Sequence, residues 1–167
     1  HRWELNYVWN SSERQRMVSS NLSYQLSRND VAMGYTYNRQ TGIYTYRPEN
    51  VNGNNVLFGK VIFSSPLDKH KRLKLELNTD ATFQHSMDLS SDSPDQDPQK
   101  RAVNTTYLTQ GLRLNYAISS IRLGGKASVT YTHQTSPRAG FVTTDAASYQ
   151  YGVNCTADLP MGWQIST

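Results

Sequence analysis

The chain has 167 residues, of which 37% are hydrophobic, and a net charge of +4 from 17 basic and 13 acidic residues. Its mean hydropathy of −0.67 is low for a protein with a large dry core, but it is typical of a β-barrel with a wet lumen. No run approaches the roughly 20 apolar residues that a membrane helix needs. The longest basic run covers only residues 69–72, so the charge pattern indicates no nucleic-acid partner.

Alternation of apolar and polar residues predicts strands along the whole chain. The first run places Trp3 and Trp9 on one face. The fourth run is ambiguous, because Val56, Phe58 and Ile62 compete with Leu57, Val61 and Phe63 for the apolar face. The predicted strands cover residues 2–10, 15–28, 31–38, 54–65, 71–85, 104–118, 121–134 and 146–158, followed by a truncated strand from 163.

The clearest strand runs from Lys71 to His85, where Leu73 and Phe83 share a face and Glu76 lies on the other. Helical periodicity is not convincing anywhere. We therefore predict an all-β fold, an antiparallel up-and-down meander that forms a transmembrane β-barrel or a segment of a larger one. Residues 1–167 form one barrel segment in this interpretation, with about eight strands plus the truncated one.

The predicted connections alternate between tight and long. Tight ones lie at Asn29–Asp30, Pro66–His70, Ser119–Ser120 and Leu159–Gly162, and long polar ones at 39–53, 86–103 and 135–145. In outer-membrane barrels the short turns face the periplasm and the long loops face outside. The 11 tyrosines and 3 tryptophans, many near predicted strand ends, favour an aromatic girdle at the headgroup level. The alternative is the ordinary preference of aromatic residues for strands.

The chain begins and ends inside alternating runs, and it carries no signal peptide or plug domain, so we expect a fragment of a longer protein. Cys155 is the single cysteine, which excludes an internal disulfide. Its position on an apolar strand face predicts a buried or lipid-facing role.

Several segments resemble an outer-membrane β-barrel family related to TonB-dependent receptors. The match is most specific over residues 46–85, and includes Tyr46–Asn54, Phe63–Lys69, Leu112–Tyr116 and Tyr149–Gly152 leading to Leu159–Pro160. Asn55 stands where the family often has Trp. The resemblance implies a Gram-negative outer membrane, a larger barrel, and a plug domain or a periplasmic energy-coupling protein as partner. It implies no ligand residues.

Charged residues on the polar strand faces form a candidate lumen-facing set, and their mixed signs indicate a hydrated or plugged interior. An outer sheet face in water is the alternative. The set comprises Lys74, Glu76, Asp80, Arg113, Arg122 and Lys126.

Metal and catalytic signals are weak. Asp88, Asp92, Asp95 and Asp97 gather four carboxylates that could hold calcium, but they lack the spacing and the glycine of an EF-hand loop, and a solvated loop is the simpler interpretation. The histidines have no zinc-binding spacing, and no nucleophile motif occurs. We expect no catalysis, no cofactor and no metal.

The leading hypothesis is therefore part of the wall of a transporter, receptor or porin-like passage in the bacterial outer membrane, with the lipid bilayer as partner. The rival is a soluble all-β module, a sandwich or lipocalin-like barrel that binds a ligand or glycan. The two differ in where the apolar faces point. Leu73, Leu112, Leu123 and Val153 are lipid-exposed in the first hypothesis and packed on one another in the second.

Overall fold

The computed structural model describes residues 1–90, 97–138, 140–158 and 163–166. These residues form ten strands and no helix, and all pairings between strands are antiparallel, which confirms the predicted all-β antiparallel fold. The strands are β1 (Arg2–Ser11), β2 (Arg16–Leu26), β3 (Asp30–Asn38), β4 (Ile43–Val51), β5 (Asn55–Pro66), β6 (Leu73–Ser90), β7 (Gln99–Ile118), β8 (Ile121–Thr135), β9 (Thr144–Asp158) and β10 (Gln164–Ser166).

Eight of the strands form one sheet in the order β1-β2-β5-β6-β7-β8-β9-β10. Strands β3 and β4 form a separate two-stranded hairpin, inserted between β2 and β5. The sheet is therefore a meander that is interrupted once, by the inserted β3–β4 hairpin. Within the described part of the chain β1 and β10 are edge strands and the sheet is open, which is compatible with a segment of a larger barrel.

The short turns of the main sheet lie at one end. The turn between β7 and β8 has two residues, and Ser119 adopts a left-handed φ of 48° there. The turn after β5 has Lys71 at φ 58°, and the ammonium of Lys71 donates a hydrogen bond of 2.8 Å to the Glu13 carbonyl in the turn after β1. Neighbouring short turns are thus tied together. The predicted tight turn at 159–162 lies outside the described residues.

The predicted long loop at 39–53 is wrong, because most of it is β4. Tyr44, Tyr46 and Pro48 alternate there with Thr45, Arg47 and Glu49, and β4 pairs with β3 along its whole length. A proline is tolerated because β4 is an edge strand. The prediction of a loop over 86–103 is also largely wrong, since β6 continues to Ser90 and β7 starts at Gln99.

The hairpin of β3 and β4 packs against the far end of β6 and β7. Gly34 is buried there, and a Cβ atom at this position would lie 2.8 Å from the Pro98 side chain and 3.2 Å from the Leu89 side chain. Val51 is 2% exposed. The Lys100 ammonium donates a hydrogen bond of 2.9 Å to the Asn50 carbonyl. The hairpin is therefore a packed extension at the long-loop end and not a polar loop.

Buried hydrophobic side chains are scarce in the part of the chain that the structure describes. Among the described residues the buried hydrophobic side chains are Val51 and Leu89, and both lie where the hairpin meets β6 and β7. The accessible surface is 11958 Å², against about 8,400 Å² expected for a compact protein of 19.0 kDa. The surface is correspondingly rich in large apolar side chains.

Candidate functional site

The six charged residues predicted to face a lumen share one face of the sheet. Register partners lie on the same face, and Glu76 pairs with Arg113, which pairs with Lys126. Strand alternation places Lys74 and Asp80 with Glu76, and Arg122 with Lys126. We name this the polar face. It extends to Glu4, Asn21 and Lys60 on β1, β2 and β5.

Ion pairs neutralise most charges of the polar face. Nitrogen-to-oxygen distances are 3.6 Å for Arg113 and Glu76, 3.4 Å for Lys60 and Asp80, and 2.8 Å for Arg122 and Asp158. All of these side chains are partly exposed, so each pair contributes little to stability, about 0–1 kcal/mol. Their effect is to hold long side chains in defined positions on the sheet.

Lys60 is a member of this face that the sequence did not indicate. Its strand, β5, carries apolar residues on both faces, which hides the alternation. The pairing of Lys60 with Asp80 across β5 and β6 would have revealed it, but this register is not readable from the sequence alone.

A depression of about 320 Å³ lies on the polar face. Gly111 contributes no side chain to it, and the space above this residue is open beyond the Asn78 side chain. Its charged lining residues are Lys60, Glu76, Arg113 and Lys126, and its other polar side chains are Asn78, Ser128 and Gln150.

Lys126 lies flat against the sheet beside this depression. A Cβ atom at Gly152, its register partner, would be 3.0 Å from Lys126 Cε, so glycine makes room for the lysine stem. Lys126 makes no hydrogen bond or ion pair with the described residues, whereas Arg113, directly opposite, pairs with Glu76. Two cations therefore face the same depression from adjacent strands.

The opposite face of the sheet is apolar and exposed. Leu112, Leu123 and Val153 are 40%, 46% and 88% exposed, and Leu73 is half-buried. We name the largely apolar part of this face, which Thr79 and Gln110 interrupt on β6 and β7, the apolar band. Its other exposed members include Trp3, Leu5, Trp9, Leu22, Leu57, Val61, Phe83, Leu108, Val129 and Tyr149.

The apolar band slants across the strands. The row of register partners that starts at Trp3 continues through Tyr24, Leu57 and Phe83, but it is polar from Thr106 to His133 and Asp145. At the other end of the strands the band shifts in the same direction, because the row that contains Leu75, Leu114 and Val153 is apolar there but begins at the polar Ser65 on β5. Such a shift is expected when the strands are tilted relative to a band whose two edges are level planes.

The short turns follow the same slant. Met17 on β2, Arg113 on β7 and Gly152 on β9 lie in one row of register partners. The distance from this row to the short-turn end of the strand is one residue in β2, five in β7 and six in β9. A shift of five residues across five strand spacings corresponds to a tilt of about 35°. Closed barrels have strands tilted by roughly 35–45°.

Aromatic side chains mark part of the band's edges. Trp3 stacks on Tyr24 at the long-loop edge, with ring centroids 5.6 Å apart. Trp9 and Tyr116 lie toward the short turns. Tyr7 lies inside the band, and four further tyrosines lie on the β3–β4 hairpin, at positions 35, 37, 44 and 46. Strand ends therefore account for only some of the aromatic residues.

A polar cluster lies beyond the band at the long-loop end of β8 and β9. The Tyr131 hydroxyl donates a hydrogen bond of 2.6 Å to Asp145 Oδ1, and His133 Nδ1 lies 2.7 Å from the same oxygen. The hydrogen bond from Tyr131, followed by the contact with His133, lowers the pKa of the Asp145 carboxyl. His85 lies at the same end of the sheet, and its Nδ1 atom is 2.6 Å from Asn104 Oδ1.

Metal ligands do not cluster in the part of the chain that the structure describes, where no group of three or more His, Cys, Asp or Glu side chains could hold an ion. Asp92 and Asp95 of the acidic loop lie outside that part, so the calcium site is untested. No helix in the described ranges has the length and apolarity to cross a membrane.

Comparison with family models, curated proteins and solved structures finds no match to this chain.

Proposed function

We propose that this chain forms part of the wall of a β-barrel in the bacterial outer membrane, in a transporter, receptor or porin-like passage without catalysis. The observation that carries the proposal is the slanted apolar band, exposed on consecutive strands and bounded on one side by the short turns. Lipid would cover the band, and the polar face would line the interior.

The energetics of the band favour an apolar covering. Burial of apolar surface contributes about 25 cal/mol per Å², and monomeric soluble proteins rarely expose apolar patches beyond a few hundred Å². A band that runs from Trp3 on β1 to Val153 on β9 is larger than the surface of a typical monomer allows. Unmet backbone polar groups in lipid cost several kcal/mol each, and hydrogen bonds between neighbouring strands satisfy these groups inside the sheet. The edges at β1 and β10 would pair with further strands of the parent barrel.

The polar face supports a hydrated or plugged interior. Its paired charges, such as Arg113 with Glu76, remain partly exposed to water. A plug domain of the parent protein or a periplasmic energy-coupling protein would be the partner at the short-turn end. The packed β3–β4 hairpin would project from the outer surface.

The rival hypothesis, a soluble binding module, requires Leu112, Leu123 and Val153 to share a core. Their exposure in the described part of the chain does not favour it. We therefore retain the membrane wall as the proposed function.

Adjacent residues on opposite faces of β8 provide the test. In a Cys155→Ser background, Ser128→Cys lies on the polar face and Val129→Cys lies on the apolar band. After folding into lipid vesicles, we expect a membrane-soluble maleimide to label position 129 and a charged maleimide to label position 128. Labelling of both positions by the charged reagent in vesicles would exclude lipid contact.

Folding without detergent is the complementary experiment. We expect aggregation in water and ordered β-structure in micelles, followed by circular dichroism. A monodisperse monomer with a cooperative thermal transition in water would favour the soluble module instead.

A further inference from the structure

We infer that the depression above Gly111 binds the anionic group, phosphate or carboxylate, of a small hydroxylated solute. This inference rests on the proposed function, because it takes the polar face as the lining of a passage. It adds a substrate class to that function: small, polar and negatively charged.

The charges around the depression indicate that the ligand is negatively charged. Arg113 and Lys126 are register partners, and like charges directly opposite each other on adjacent strands are destabilising. Glu76 lies 3.6 Å from Arg113, but no carboxylate of the described residues pairs with Lys126. Lys60, with its own partner Asp80, borders the same depression. An anion between Arg113 and Lys126 would offset their repulsion by charge-assisted hydrogen bonds to both.

Neutral polar groups indicate that the ligand also carries hydroxyls. The Oδ1 atom of Asn78 is buried and accepts no hydrogen bond from the described residues, although buried polar atoms are ordinarily satisfied. Asn78 lines the depression together with Ser128 and Gln150. A ligand hydroxyl near Asn78 would donate the missing hydrogen bond.

Size limits the ligand to a small molecule. The depression of about 320 Å³ lies at the lower end of the range of ligand sites. Gly111 is necessary for this space, since a larger side chain there would project into it. The site therefore suits a single hydroxylated unit with one acidic group.

Binding of three related sugars to the chain folded in micelles tests the inference. Glucose 6-phosphate carries a phosphate, glucuronate a carboxylate, and glucose neither. By titration calorimetry at low salt we expect at least one of the two anions to bind and glucose to bind more weakly by about tenfold or more. Equal affinities for the three sugars, or no binding of either anion, would overturn the inference.

Three variants locate the site. Lys126→Gln is expected to weaken anion binding about tenfold, because a charge-assisted hydrogen bond is lost. Gly111→Val keeps every charge but fills the depression, and is expected to weaken binding as strongly. The matched control is Lys74→Gln, which removes a lysine from the same face outside the depression and is expected to change the affinity less than twofold. If Lys126→Gln and Lys74→Gln have equal effects, the anion binds elsewhere and the inference is wrong.

Thermal stability gives a second readout. Without ligand, Lys126→Gln should be at least as stable as the unmodified chain, because the repulsion from Arg113 is removed. Saturating anion should raise the melting temperature of the unmodified chain and not that of Lys126→Gln. A clear loss of stability in Lys126→Gln without ligand would contradict the electrostatic argument.

The maleimide labelling at positions 128 and 129 is independent of ligand, so a failure of lipid contact is distinguishable from a failure of anion binding.

Discussion

The backbone N–H of Met87 donates a hydrogen bond of 2.8 Å to the side-chain oxygen of Asn54. Strand β5 begins at Asn55, opposite His85, so β6 has no β5 residue beside it beyond this point. The Asn54 side chain continues the ladder for one more hydrogen bond, and its amide nitrogen donates to Asp30 Oδ2 at 2.8 Å. One side chain thus joins the base of the hairpin to the sheet.

Replacement of Asn54 by alanine should loosen this junction. Two hydrogen bonds are lost, one of them to a charged acceptor, and we expect the free energy of unfolding to fall by about 2 kcal/mol. Urea unfolding in micelles measures the loss, and faster hydrogen exchange at the Met87 amide would locate it. Asn50→Ala is the control, since its exposed side chain makes no hydrogen bond with the described residues and should leave both measurements unchanged.

Enlarging Gly34 should displace the hairpin. A Cβ atom would lie 2.8 Å from Pro98, and overpacking of this kind costs about 1–3 kcal/mol. We expect Gly34→Val to increase trypsin cleavage after Arg39, measured by mass spectrometry of the folded chain. The control is Met33→Ala on the exposed side of the same strand. Equal cleavage in the two variants would mean that the packing against Pro98 does not hold the hairpin in place.

A charge on the apolar band should prevent membrane assembly. Leu112→Arg is expected to cost about 2–4 kcal/mol in a bilayer if the residue lies near its midplane. The folded fraction in vesicles, followed by circular dichroism and by the altered gel mobility of unheated samples, should fall accordingly. Ser148→Arg adds the same charge to an exposed position of the polar face outside the depression, and should fold like the unmodified chain. Similar losses in both variants would argue against lipid contact at Leu112.

The pKa of Asp145 should depend on Tyr131. The hydrogen bond from the Tyr131 hydroxyl is the largest cause that lowers this pKa, and the contact with His133 is the second. Since the folded-state pKa is lowered, the stabilisation by Asp145 is present above the unfolded-state pKa and is lost as the pH falls through the folded-state value. Tyr131→Phe should raise the pKa of Asp145, measured by carboxyl carbon NMR in micelles. Tyr116→Phe, near the short turns, should not.

The sequence was sufficient to predict strands and the face of each side chain where apolar and polar residues alternate strictly. Residues 71–85 and 121–134 predicted strands and faces that the structure confirms, because apolar and polar residues there obey a period of two. The fourth predicted strand could not be resolved this way. Pairing with β2 and β6 now places Leu57, Val61 and Phe63 on the apolar band and Val56, Phe58 and Ile62 on the polar face. Cross-strand partners decide this, and a single sequence does not contain them.

Strand β4 was missed for a different reason, although its partner β3 was predicted at 31–38. Polar residues, Gly53 and Pro48 are typical of a loop, but pairing with β3 and packing against Leu89 and Pro98 outweigh these local preferences. The depression was equally hidden, since Gly111 and Lys126 come together only through the register of β7 and β8. Their separation along the chain gives no signal of such a site.

The short turns lie farther from one row of register partners in each successive hairpin, from β2 to β9. This offset determines which changes in strand length the sheet tolerates. Removing one residue from a strand such as β7 would exchange its faces, so that Arg113 moved to the apolar band and Leu112 to the polar face. Removing two residues would keep each side chain on its own face and only displace the strand by two register positions. Since neighbouring hairpins already differ by about that amount, insertions and deletions of even size should be the ones that this sheet survives.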